Sequence, residues 1–345
     1  MEWNRAIELV EAHAEGEIGR VVTSGLPSIP GHSIIEKFRY MLDKGDDLRL
    51  SLCLEPRGDA AGSVVLCFPP QDPKNHAGII ILQPDQAHAM SGSNAICTTT
   101  VLLETGIVDM KEGIIPVRLE TAAGLVTAQA SCRNDKCESV TLSMPPSFVE
   151  ALDRTVKTEN WGEIITDIAF GGVYYAVIDP AQLGLSITPE NARSLADAGM
   201  ILKDILNEQI PVCHPLNPDV SGIAYVMFRE NEPNGTVRTA TTMWPGRLDR
   251  SPCGTGNSAN LAIRVARGEV HKGDTYISKS TINSSFQVKH GGTTMIGDKQ
   301  AVLPEITGRG WIYGKHSLVF HPSDPFRSGF ALSDTWGIKA GKIRP

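Results

Sequence analysis

No stretch of this 345-residue chain approaches the roughly 20 consecutive apolar residues that a membrane-spanning helix needs. The apolar run AGIIIL (77–82) reads as a buried strand. Positive charge is also scarce: 32 Lys and Arg against 39 Asp and Glu leave a formal net charge of −7, which argues against non-specific binding to nucleic acid or an anionic membrane. Cysteine supplies no framework. The seven thiols are an odd number without regular spacing, which points to a reduced, cytoplasmic chain. Two of them lie in CRNDKC (132–137) with no second pair beside them, so a polar turn is favoured over a zinc site. The opening MEWNRAIELVEAH is acidic and amphipathic and lacks the basic start and apolar centre of a signal peptide. Low-complexity segments and long linkers are missing too. What remains is a globular chain whose expected partner is a small molecule.

The length exceeds that of one ordinary hydrophobic core, so two halves are expected. HSIIEKFRYMLDKG carries Ser33 as N-cap, Glu36 as its capping-box partner and Gly45 as a stop, which predicts a helix. TPENARSLADAGMILKDILNEQ predicts another, with Thr188 as cap, Pro189 in the first turn and an apolar stripe through Leu195, Ala198, Leu202, Ile205 and Leu206. Strand-like stretches follow each helix: LRLSLCLEP, GSVVLCFPP and HAGIIILQP after the first, GIAYVMFRE and VRTATTMW after the second. The break between halves is expected near SMPPSFVEALDRT, giving residues 1–155 and 156–329, with the tail 330–345 packed back on the first half.

Each half then presents the same device. MSGSNAICTTTVLLETG and SPCGTGNSANLAIRVARG both place a small nucleophilic residue, Ser91 or Cys253, before a glycine and a hydroxyl residue at the mouth of an apolar helix. Gly106 and Gly268 each fall fifteen residues further on, as helix stops. A helix N-terminus has unpartnered N–H groups and partial positive charge, so it attracts a carboxylate. Gly92 and Gly254 let a ligand approach the backbone, and Ser93 and Thr255 add hydroxyls. The same field is expected to lower the Cys253 thiol toward neutrality. If the halves faced each other, Ser91 and Cys253 would flank the carbon next to a bound carboxylate and could exchange its proton.

Other readings stand beside this one. GTGNSA (254–259) matches a dinucleotide fingerprint with Asp274 twenty residues past Gly254, but WPGRLDRSP before it is no apolar strand. PCGTG would also suit a cysteine hydrolase with His214 or His271 as base. A carboxylate-binding module without turnover is the alternative from outside enzymology. Asp249 could receive a ligand's ammonium or simply tie down the turn it shares with Arg250. His13 and His88 fit structural roles better than catalytic ones.

Together, HAEGEIGRVVTSGLP, MSGSNAI, DIAFGGVYYAVID, DRSPCGTGNSA and DPFRSGF resemble the proline racemase superfamily along nearly the whole chain. The resemblance implies an α/β fold of two pseudo-symmetric halves, similar to diaminopimelate epimerase, each a curved, mostly antiparallel sheet around a central helix. It implies no cofactor and no metal. Ser91 and Cys253 take the two catalytic positions, Gly92, Ser93, Gly254 and Thr255 hold the substrate carboxylate, and Asp249 holds the imino nitrogen. Racemases and epimerases of the family usually read Met-Cys-Gly-His where this chain reads Met90-Ser91-Gly92-Ser93. Serine is a poor partner for a two-way proton exchange, whereas eliminating a hydroxyl needs one competent residue. A serine at the first position also resembles the bacterial dehydratase branch of the family, so the resemblance implies a trans-3-hydroxy-L-proline dehydratase, a hydro-lyase yielding Δ1-pyrroline-2-carboxylate. The alternative is a 4-hydroxyproline 2-epimerase, or an enzyme doing both. A hydroxyproline is the expected partner, and a homodimer is left open.

Overall fold

The computed structural model describes residues 6–343, so the first five residues of the amphipathic opening and the last two of the tail lie outside it. The chain divides into two compact units. One comprises the described residues up to Leu142, Gly308–Trp336 and the segment from Ala340; the other comprises Ser143–Thr307 and Gly337–Lys339. The division expected after residue 155 falls inside a strand, Ser147–Thr158.

The first unit runs β1 (Ala6–Ala14), β2 (Glu17–Ser24), α1 (Ile34–Asp43), α2 (Asp46–Cys53), β3 (Gly62–Phe68), β4 (Ala77–Leu82), β5 (Ala87–His88), α3 (Gly92–Glu104), β6 (Gly113–Thr121), β7 (Gly124–Arg133) and β8 (Lys136–Ser143). The second runs β9 (Ser147–Thr158), β10 (Gly162–Phe170), β11 (Tyr174–Ile178), α4 (Ala192–Gln209), β12 (Cys213–His214), β13 (Asn217–Ser221), β14 (Ile223–Asn231), β15 (Val237–Met243), β16 (Arg247–Leu248), α5 (Gly254–Ala266), β17 (Thr275–Lys279), β18 (Ser285–Ile296) and β19 (Lys299–Gly308). A last long strand, β20 (Gly310–Val319), belongs to the first unit and pairs antiparallel along β1, from Ala6 opposite Val319 to Ala14 opposite Gly310.

One wiring plan serves both units. In the first, β2 pairs parallel with β3, β3 antiparallel with β4, and β4 antiparallel with β5 and parallel with β6. In the second, β11 pairs parallel with β14, β14 antiparallel with β15, and β15 antiparallel with β16 and parallel with β17. A parallel pair needs a long crossover, and each unit fills its two crossovers with helix. The first crossover carries α1 and α2 in one unit and α4 in the other; the second carries α3 and α5. The remaining pairings are antiparallel, so each unit is a mostly antiparallel sheet built on a mixed α/β plan.

Composition explains why α3 and α5 lie inside. From Gly92 to Leu103 no residue is charged, and all twelve are buried. Two of their hydroxyls bond within the helix: Thr98 donates to the Asn94 carbonyl at 2.8 Å and Thr100 to that of Ile96 at 2.9 Å. In α5 the lone buried cation, Arg264, lies 4.3 Å from the centroid of the Tyr276 ring. Both helices stop on left-handed glycines, Gly106 at φ +74° and Gly268 at φ +72°. Each glycine N–H returns to a last-turn carbonyl, and a second N–H follows, from Val108 to Leu102 and from Glu269 to Arg264.

Two sequence expectations are corrected. LRLSLCLEP is not a strand: most of it belongs to α2, which opens on Asp46 and Asp47 and buries Arg49 through Cys53 in succession. Arg49 decides the outcome, since its guanidinium reaches the carbonyls of Gln83 and Pro84 and its Nε binds Asp46 at 2.7 Å. Thr188 is not the cap of α4, which starts only after Asn191; its hydroxyl instead accepts the Asn191 N–H in the preceding turn. The Ser33–Glu36 capping box is present as expected. Among the described residues no helix is long and apolar enough to cross a membrane.

Candidate functional site

The mouth of α3 is formed by Ser91, whose backbone is extended at φ −148° and ψ 129° and whose carbonyl accepts the Ala95 N–H at 2.9 Å. A serine at this position ordinarily caps the helix with its side chain. Ser91 does not: its Oγ accepts from Asn94 Nδ2 at 3.0 Å and lies 3.3 Å from Ser93 Oγ. The first-turn N–H groups of Gly92, Ser93 and Asn94 have no acceptor within the helix and none from a side-chain cap. Asn94 is buried, with its Oδ1 lacking a partner.

The mouth of α5 repeats the arrangement with different chemistry. Cys253 occupies the cap position, accepts the Asn257 N–H on its carbonyl at 2.9 Å and again provides no side-chain cap. Its backbone, at φ +68° and ψ 105°, is in a region that side-chain-bearing residues rarely enter, at a cost of about 1–3 kcal/mol. The surroundings impose this conformation. Asp249 Oδ1 accepts both the N–H and the hydroxyl of Ser251 at 2.8 Å, and Ser251 Oγ accepts the Cys253 N–H at 3.1 Å. From the other side, Asn257 Nδ2 binds the carbonyls of Pro252, at 2.6 Å, and Cys253, at 3.1 Å. Gly171, in the turn between β10 and β11, presses on this first helical turn so closely that a Cβ there would collide with the Thr255 carbonyl.

The thiol faces polar company. Cys253 Sγ lies 3.6 Å from Tyr175 Oη and 3.8 Å from Thr255 Oγ1, and the two oxygens are 2.6 Å apart. The expectation of a thiol lowered toward neutrality is corrected: burial, seconded by the Asp249 carboxylate, pushes Cys253 up to about 12. Hydrogen bonds from Tyr175, Thr241 and the Gly256 backbone act in the opposite direction and do not overcome it. The thiol is therefore held in its protonated form.

The expected site residues thus gather in two groups: Ser91, Gly92 and Ser93 at the mouth of α3, and Asp249, Cys253, Gly254 and Thr255 at that of α5. The other candidates have structural tasks. His13 Nδ1 accepts the Gly16 N–H at 3.2 Å, and its ring stacks on Trp311 at 5.1 Å. His88 meets Asp85 at 2.9 Å, and His214 packs against Phe148 and Phe170. Asp274 accepts the His271 N–H in an exposed turn, and Arg250 donates to the Leu248 carbonyl. Cys132 and Cys137 lie opposite each other on β7 and β8, across a turn with Asn134 and Asp135 at positive φ. Among the described residues no cluster of three or more His, Cys, Asp or Glu side chains is arranged to hold a metal ion. Tyr175, Asn94, Asn257 and Gly171 went unremarked in the sequence. Tyr175 sits 78 residues from the thiol that it touches, and no local signal connects them.

The fold and the paired helix mouths define a class of α/β protein in which one half is built on the wiring of the other around a buried helix. A profile of the family described as proline racemase matches residues 9–331, and the chain belongs to that family. It is 54% identical, over all of both chains, to a 4-hydroxyproline 2-epimerase of Allorhizobium ampelinum. It is also 54% identical to the protein of that name from Rhizobium etli, over 99% of this chain and all of the relative. A crystal structure of a hydroxyproline epimerase from Agrobacterium vitis with bound trans-4-hydroxy-L-proline superimposes with a TM-score of 0.91 at 54% identity, covering 99% of this chain and all of that one. These relatives overturn the hydro-lyase expectation, trans-3-hydroxy-L-proline dehydratase, which rested on the weak acidity of a serine hydroxyl in water. That premise overlooked the local environment: Ser91 Oγ receives a hydrogen bond at the positive end of a helix.

Proposed function

We propose that the protein is a 4-hydroxyproline 2-epimerase, interconverting trans-4-hydroxy-L-proline and cis-4-hydroxy-D-proline by inverting C2 and leaving C4 untouched. The observation that carries this reading is the end-to-end likeness, at 54% identity, to proteins of that name and to an epimerase holding trans-4-hydroxy-L-proline.

Inversion requires a proton to leave one face of C2 and another to arrive on the opposite face. Ser91 and Cys253 are the two residues assigned to this exchange. The C2 proton is weakly acidic, so the carbanion must be stabilised as it forms. N–H groups at the helix mouths, with the hydroxyls of Ser93 and Thr255, neutralise the substrate carboxylate, while Gly92 and Gly254 leave the backbone open to it. Asp249 takes the imino nitrogen. A positive nitrogen beside Asp249 also offsets the charge that helps hold the thiol protonated, so binding eases Cys253 toward proton transfer.

Proton NMR in deuterated water tests the reading. With trans-4-hydroxy-L-proline, loss of the C2 proton signal together with growth of cis-4-hydroxy-D-proline is expected. Binding without exchange at C2 would instead make the protein a carboxylate-binding module.

A further inference from the structure

We infer that Tyr175 is a positioning residue for the Cys253 thiol, its single hydroxyl proton being shared between Thr255 and the sulfur. The geometry is closed. Tyr175 is 1% exposed, its ring lies 5.5 Å from that of Tyr225, and its Oη is within 2.6 Å of Thr255 Oγ1 and 3.6 Å of Cys253 Sγ. Gly256 helps make room for it: a Cβ there would lie 3.1 Å from the sulfur and 3.2 Å from the tyrosine ring, besides striking Met227.

One donor facing two acceptors has a consequence for the reaction. A neutral thiol is a weak acceptor, so in this arrangement the phenol proton is directed to Thr255 Oγ1, the nearer of the two at 2.6 Å. When Cys253 gives its proton to the substrate carbanion, the S–H bond breaks, a C–H bond forms and negative charge appears on sulfur. A thiolate attracts the phenol O–H far more strongly than a neutral oxygen does, so the hydrogen bond passes to Sγ without any bond of Tyr175 breaking. In the opposite direction, reprotonation of the sulfur returns that bond to Thr255. The step in which Cys253 meets a substrate carbon rests on the epimerase reading; the coupling of Tyr175 to the thiol does not.

Two readouts separate these parts. In Tyr175→Phe the C2 exchange turnover is expected to fall roughly 10- to 100-fold, the range for a lost hydrogen bond to a charged group, with KM changed about twofold or less. At one mildly alkaline pH, alkylation of Cys253 by iodoacetamide, followed on its own peptide by mass spectrometry, should slow about tenfold, while the exposed Cys213 reacts as before. Monofluorotyrosine placed at position 175 keeps the hydroxyl, makes it a stronger donor and should speed that alkylation. It also provides the test if Tyr175→Phe fails to fold. Alkylation of Cys253 that is unchanged in either variant would overturn the inference. An inactive wild-type protein whose Cys253 nevertheless responds to both changes would sink the epimerase reading and leave Tyr175 in its place.

Discussion

The mouths of α3 and α5 are alike in topology and unlike in strain. Ser91 enters its helix through an extended backbone that any residue can adopt, whereas Cys253 is held at φ +68° by a hydrogen bond that its N–H donates to Ser251 and one that its carbonyl accepts from Asn257. Ser91 is half-buried beside an amide donor; Cys253 is buried beside a phenol and a threonine. The same wiring therefore delivers two chemically different side chains to equivalent positions. The difference lies in what surrounds the cap, since both caps leave the helix N–H groups alone.

The largest expected effects are on turnover. Cys253→Ser and Ser91→Ala should each slow C2 exchange roughly 10²- to 10⁴-fold, the usual contribution of a general acid or base. Ser91→Cys should stay within about tenfold of wild type, because an extended cap accepts either side chain. An Ser91→Ala variant with wild-type exchange would break the comparison, reducing that mouth to a binding end. A smaller effect concerns strain. Cys253→Gly should be more stable than Cys253→Ala by about 1 kcal/mol in denaturant titration, because only glycine is at ease at that φ, and no comparable gain is expected at Ser91. An effect of the same size is expected at the far ends: Gly106→Ala and Gly268→Ala should cost about 1 kcal/mol each, and similar amounts, since both are left-handed and a Cβ at either meets nothing within 4 Å. Unequal costs would show that the likeness of the helices stops short of their far ends.

Much of this comparison was legible in the chain itself. The two helices, their glycine stops and the residues at their mouths are local signals: uncharged runs, a fixed fifteen-residue spacing, and glycine where φ must be positive. The β3, β4, β14 and β15 strands were readable for the same reason. Long-range contacts were not. The alternation in LRLSLCLEP imitates a strand because Leu48, Leu50 and Leu52 fall at every second position, and only the carbonyls that hold Arg49 reveal a helix. Likewise, no spacing announces the phenol of Tyr175 beside Cys253, which arrives when β11 is laid against α5. The dehydratase expectation failed for a related reason. It judged Ser91 by its side chain in water, and the Asn94 amide that changes its environment is visible only in three dimensions.

The pairing of β1 with β20 bears on how the chain is made. Tyr313 on β20 bonds Glu11 on β1, 302 residues away, while every segment of the second unit except the short piece Gly337–Lys339 lies between them. On a ribosome the strand that completes the first sheet emerges after almost all of the second unit. The half that is begun first is thus finished last, and β1 must wait through most of synthesis with one edge unpaired. Guarding that edge falls to whatever binds nascent chains, and a truncated product ending before Gly310 would expose it permanently.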